Sequence, residues 1–183
     1  PEWKGKIAST PYATSLEILA ADEMLGRENA LDYVRSLSRQ IAGLIRCNET
    51  ERVVSGEFLA LVMDCNGADT FALKEKGAPV DLLVPTDGAQ IRYFYLSIPK
   101  NAEHPNAAKL LTVLAMTGEG QKLMWEVAKA DLHLFPESNI GRKIRPLEKQ
   151  EVKFFAPTIE WLLRHPEIEQ TREEMGKILS RGR

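Results

Sequence analysis

The sequence lacks the residue groupings that usually announce chemistry. Its three histidines, His104, His133 and His165, lie far apart and match no metal-ligand spacing. They read as surface or loop residues. No G-x-S-x-G, Walker or G-x-G-x-x-G pattern occurs, which removes the common hydrolase, phosphate-loop and dinucleotide signatures. No apolar run approaches the ~20 residues needed to cross a bilayer as a helix. Neither sign of charge dominates: 24 Lys and Arg face 26 Asp and Glu, a net charge of −2. That balance gives no polybasic surface for nucleic acid or anionic membrane. Cysteine is scarce. Cys47 and Cys65 suffice for one disulfide in an oxidising compartment, and their spacing matches no zinc pattern, with no third or fourth ligand nearby in sequence. What remains is an ordinary soluble composition, 44% hydrophobic over 183 residues, enough for one large or two small domains. The chain opens at Pro1 with neither Met nor a signal peptide. The expectation is a mature or truncated product with any export signal upstream.

Residues 53–88 organise the rest. The turn Ser55-Gly56-Glu57 leads into an apolar run over 58–63, too short for a free-standing helix and too continuous for a one-sided strand. It suits a parallel strand covered on both faces. Asp64-Cys65-Asn66-Gly67 ends it with turn chemistry. Residues 68–76 read as a helix closed by Gly77, and 80–84 as a second apolar strand stopped by Pro85. Strand, helix, strand makes one βαβ unit. In open α/β sheets ligands are met at the carboxyl ends of strands, which places Asp64, Cys65 and Asn66 at a candidate site.

Before that stretch, residues 6–9 read as a strand. Thr14 with Glu17 fits a capping box for a helix ending at Gly26. A second helix spans about 28–40 with Ile41 on its apolar stripe, and 44–47 is a short strand. Asn48 with Glu51 is another capping box. Beyond it, 91–98 (I-R-Y-F-Y-L-S-I) is the most strand-like run. Residues 106–116 form a helix apolar almost all round, expected to be buried. Thr117 caps a continuation to about 129, 132–135 is extended, 136–149 reads as a loop, and 157–163 and 167–179 are terminal helices.

The ordered motifs W-K-G-K-I-A (3–8), V-V-S-G-E (53–57), G-A-P-V (77–80), V-P-T-D-G (84–88), I-P-K-N-A-E-H-P-N-A-A-K (98–109) and T-G-E-G-Q (117–121) resemble the extracellular solute-binding proteins of ABC importers. The likeness is to the type 2 periplasmic-binding fold, in its ferric-iron-binding-like branch. It runs from about Trp3 to Gln121. It implies an α/β chain holding one mostly complete lobe, a parallel or mixed sheet flanked by helices, and part of the second. Residues 1–85 would be the second ligand-binding lobe, 86–135 the hinge crossover and returning part of the first lobe, and 136–183 a C-terminal loop and helices. The opening half of the first lobe would be missing, leaving helix 106–116 to be covered by dimerisation, strand exchange or repacking of the terminal helices.

The resemblance implies a protein without chemistry of its own and without a cofactor. Such a subunit recognises a small-molecule solute in the periplasm and hands it to membrane permease subunits. Ferric-iron members carry adjacent tyrosines where this chain has about Asn66 and Gly67, so tyrosinate-bound iron is not expected. A polar organic solute or an oxyanion fits better. The implied topology sets the first strand between those ending near Cys47 and Cys65. Two inter-strand steps are roughly 9–10 Å, beyond the ~7 Å Cα limit for a disulfide, so two free, mostly buried thiols are expected unless loops bring the ends together.

Candidate ligand contacts are Thr10, Tyr12, Thr14 and Ser15 in the loop after the first strand, Asn48 after the second, and Asp64 and Asn66 after the third. Each has a plain alternative: N-capping for Thr14, Ser15 and Asn48, an Asx turn for Asp64 and Asn66, loop closure for Tyr12. Two other functions stay open. One is the ligand-sensing domain of a transcription regulator, which would need an upstream DNA-binding segment. The other is an α/β enzyme with Cys65 as nucleophile, for which no partner histidine is placed by any motif.

Overall fold

A buried tripeptide makes the central strand. In the computed structural model, which describes residues 2–65 and 67–181, β1 (Ile7–Ser9) is buried along its whole length. β2 (Ile41–Leu44) and β3 (Ala60–Leu61) flank it, both parallel to it, in the order β2-β1-β3. The ladder reaches one residue past the strands: Ile45 N–H donates to Ser9 O at 2.9 Å and Val62 N–H to Ala8 O at 2.8 Å. Side chains alternate across the sheet. Ile7 joins the larger core, while Ala8 packs with Ile45 and Phe58 on the opposite face.

The larger core is closed by helices. α1 (Arg27–Ser38) buries Ala30, Leu31, Val34 and Leu37, one stripe at helical spacing. Between β1 and α1 the chain makes only a 3-10 helix, Glu17–Ala20. The expected capped α-helix does not form, because Ala13 (φ 51°) and Ser15 (φ 69°) are left-handed and Ala21 is extended. Leu16 occupies the cap position and no side chain caps it. The α1 stripe stops before Ile41, which starts β2, so that strand lies three residues earlier than its apolar content suggested. After β2, α2 (Glu51–Val54) is a single turn. α3 (Ala68–Glu75) follows β3 and ends, as expected, before Gly77 (φ 87°).

The expected strand at 80–84 joins no ladder among the described residues, so the βαβ unit is not completed. Leu82 packs over Gly67 instead, where an added Cβ would lie 3.0 Å from Leu82 Cδ2. Residues 91–98 also lack a ladder, apart from contacts at their start: Gln90 bridges Phe155, and Ile91 N–H donates to Phe155 O at 3.0 Å. Strand composition without a neighbouring strand gives extended chain only.

The chain divides into two units, Pro1–Ile91 with Phe155–Arg183, and Arg92–Phe154. In the first, α7 (Ile159–Arg164) and α8 (Glu167–Arg181) complete the core, α8 packing on α1 and the 3-10 segment through Ile168, Thr171, Met175 and Leu179. In the second, α4 (Pro105–Ala115) pairs with α5 (Gly118–Ala128). Thr117 caps α5, its Oγ1 accepting from Gly120 N–H at 3.0 Å. Residues 139–148, expected as loop, form α6 (Asn139–Glu148), with Ser138 Oγ accepting from Gly141 N–H at 2.9 Å. Contrary to the expected burial, α4 buries no residue. A helix apolar on every side needs neighbours on every side, and α5 covers only part of it.

Candidate functional site

Parallel strands finish at one edge, so the segments leaving β1, β2 and β3 share a rim. Residues 45–48 leave β2, 62–65 leave β3, and the chain from Thr10 leaves β1 between them. The two outer segments bend toward each other across the exit of β1, and Cys47 and Cys65 are joined as a disulfide with Cα atoms 5.7 Å apart. This corrects the expected free thiols. The strand spacing is as anticipated, but Cys47 lies three residues beyond β2 and Cys65 four beyond β3. Their positions are set by turns rather than by the ladder. The turn residues around both cysteines were the signal that could have shown this.

Below the bridge, Ser9 Oγ donates to Val62 O at 3.1 Å, tying the end of β1 to the β3 exit. Asp64 braces its own turn. Its Oδ1 accepts from Cys65 N–H at 2.7 Å and its Oδ2 from Gly67 N–H at 2.9 Å. Burial pushes the Asp64 carboxyl above its usual range, and these two N–H donors pull against that shift without cancelling it. Met63 (φ 61°) and Gly67 (φ 73°) are both left-handed, so the turn is held away from ordinary strand geometry.

The other candidates separate. Thr10 is buried, at 1% exposure, and Ser15 is also buried, so neither faces solvent. Thr14 is half-buried. Neither Thr14 nor Ser15 caps the four-residue helix that follows, which is also too short to present a helix dipole to an anion. Asn48 is exposed and does not cap α2. Thr50 holds that position without a side-chain bond, and Glu49 instead accepts from Arg46 N–H at 2.6 Å. Asn66 lies outside the described residues. The disulfide thus brings Asn48 and Asp64 to its two sides, each next to a bridged cysteine.

Tyr12 is exposed and lines a groove of about 500 Å³ with Pro11 and the last three turns of α8, including Arg172, Lys177 and Arg181. From sequence alone the Lys and Glu of the last helix suggest a solvent-facing charged face, and Arg181 a solvated tail. The i, i+4 spacing of Lys177 and Arg181 after the buried Met175 was the available signal. A second, smaller pocket of about 300 Å³ is walled by Trp3 and Tyr33 over Ile7, Leu37 and Val62. Burial, with Asp87 adding to it, raises the Tyr33 hydroxyl above its usual value, so that ring is neutral. No group of His, Cys, Asp and Glu suited to hold a metal ion occurs among the described residues.

No family model matches the chain, and no solved structure matches it. An uncharacterized protein of Haemophilus influenzae is 28% identical over 133 residues, covering 69% of this chain and 38% of that protein. The chain therefore spans well under half the length of the relative it matches.

Proposed function

We propose that this chain is part of the substrate-recognition subunit of an ABC importer with the type 2 periplasmic-binding fold. It holds a small polar solute or oxyanion in a cleft between two lobes and passes it to membrane permease subunits. It performs no chemistry. The observation that carries the reading is the rim. Three parallel strands end together, and a disulfide ties the exits of the outer two across the central one. A rim fixed in this way suits a jaw that must keep its shape while the other lobe closes on it.

The disulfide also favours an oxidising compartment, consistent with a periplasmic protein. It weighs against the two rival functions. A cytosolic sensor domain would keep its thiols reduced, and Cys65 within a disulfide supplies no thiolate nucleophile. Asn66 and Gly67 stand where ferric-iron members carry adjacent tyrosines, so a polar solute is preferred to tyrosinate-bound ferric iron.

The test is native mass spectrometry of the longer protein, recovered by osmotic shock. A co-purified small molecule and an oxidised cysteine pair are expected. Recovery only from the cytoplasm, with both thiols free, would refute the reading. The 183-residue chain alone should bind that solute weakly, since one jaw is incomplete. Micromolar binding by calorimetry would contradict this.

A further inference from the structure

The groove beside Tyr12 has a charge and a shape that the rim description does not use. Its wall is the last three turns of α8, and its other side is Pro11 and Tyr12, immediately beyond β1. Gly176 keeps it open. The helix passes so close to the chain that a Cβ there would lie 3.3 Å from Pro11 O, and no side chain intrudes. Three cations line the groove, Arg172, Lys177 and Arg181, against one carboxylate, Glu173. The C-terminus of α8 contributes roughly half a negative charge, which does not reverse that sign. Arg172 is engaged by Glu169. Among the described residues, Lys177 and Arg181 have no ion-pair partner, and they sit one turn apart on one face. The Ser180 hydroxyl donates to Gly176 O at 2.8 Å, so it faces the groove only as an acceptor. An anion is therefore directed to the two cations. The half-exposed Tyr12 ring offers a flat apolar wall beside them.

We infer that this groove is an anion subsite, which takes the phosphate or carboxylate of a small organic solute between Lys177 and Arg181 while the solute's apolar part rests on Tyr12. The inference rests on the solute-binding reading above and narrows it to an anionic solute. All the residues belong to the first unit, so the subsite is present in the chain as it stands and binds weakly without a second lobe.

The test is an amide NMR titration of the 183-residue chain with phenyl phosphate, benzoate and the neutral analogue benzyl alcohol. Saturable shifts of Tyr12 and residues 172–181 with the two anions, and none with benzyl alcohol, are expected. The phosphate and carboxylate arms show which anion is preferred. The double variant Lys177→Gln, Arg181→Gln should weaken binding about tenfold with the fold intact, because charge-assisted hydrogen bonds are lost. Tyr12→Ala should weaken phenyl phosphate more than inorganic phosphate. Equal shifts with benzyl alcohol, or an unchanged double variant, would overturn the subsite. If the longer protein carries a solute while this groove ignores both anions, only the subsite falls. If the groove binds anions and the longer protein proves cytoplasmic, the importer reading falls and the subsite stands.

Discussion

At the scale of single residues, Cys65 and Asp64 decide how rigid the rim is. The bridge closes a loop of sequence separation 18 that contains α2 and β3. Restricting such a loop in the unfolded chain is worth about 3 kcal/mol on the chain-entropy account. Cys65→Ser should therefore lower the melting temperature clearly, and the unreduced wild-type protein should show no reactive thiol. A full thiol titre without reductant would sink this. Asp64 acts in the opposite direction at neutral pH. Its folded carboxyl binds a proton more tightly than the unfolded one, whose ordinary value is 3.8. The stability it contributes is complete below that value and is lost as pH rises through the raised folded value. The melting-temperature advantage of wild type over Asp64→Asn should thus shrink as pH rises from below 3.8. A difference that grows with pH would show that the two N–H donors outweigh burial.

At the scale of elements, the α4–α5 corner is the tightest joint. A Cβ on Gly120 would lie 1.9 Å from Leu114 O and 2.8 Å from Ala115 Cα, both backbone atoms that cannot swing aside. Gly120→Ala should cost about 1–3 kcal/mol or more as the two helices are forced apart. Amide exchange over 105–128 reads this directly, and unchanged protection would contradict it. Elements of this kind were legible to different degrees, for physical reasons. α1 and α8 carry long apolar stripes against a covering partner, and both were found within a few residues. β1 and β3 were both legible as strands, but β3 keeps only two residues of the 58–63 run and both are half-buried, so that run is not covered on both faces. α6 was hidden because Pro146 stands inside it, although Ser138 marks its start. The 80–84 and 91–98 segments have strand residues but no neighbour to pair with, and pairing is not written in a segment's own sequence. At the site, the rim of strand ends was legible from topology. The disulfide was missed because the turns beyond the strands set its geometry. Thr10 is buried because position at a strand end does not give exposure.

At the scale of the whole chain, apolar surface is unevenly shared. The first unit buries its stripes, while α4 leaves Leu110 71%, Leu111 66%, Val113 64% and Leu114 45% exposed. Scattered exposed apolar side chains are normal, but neighbours along one helix form a patch of the kind that is covered in a working protein. In solution by itself, the chain has one surface of matching character always at hand, the same face on a second copy. A two-fold pairing of α4 with α4 would be self-complementary and closed. We therefore expect the 183-residue chain to self-associate through α4, with a mass that rises with concentration in light scattering. Leu110→Glu with Val113→Glu places four carboxylates in such a pair. The like charges should return the protein to a monomer without loss of helical signal, since neither side chain is buried within the chain. A wild-type chain that stays monomeric at every concentration, or a variant that associates as strongly as wild type, would remove α4 as the contact.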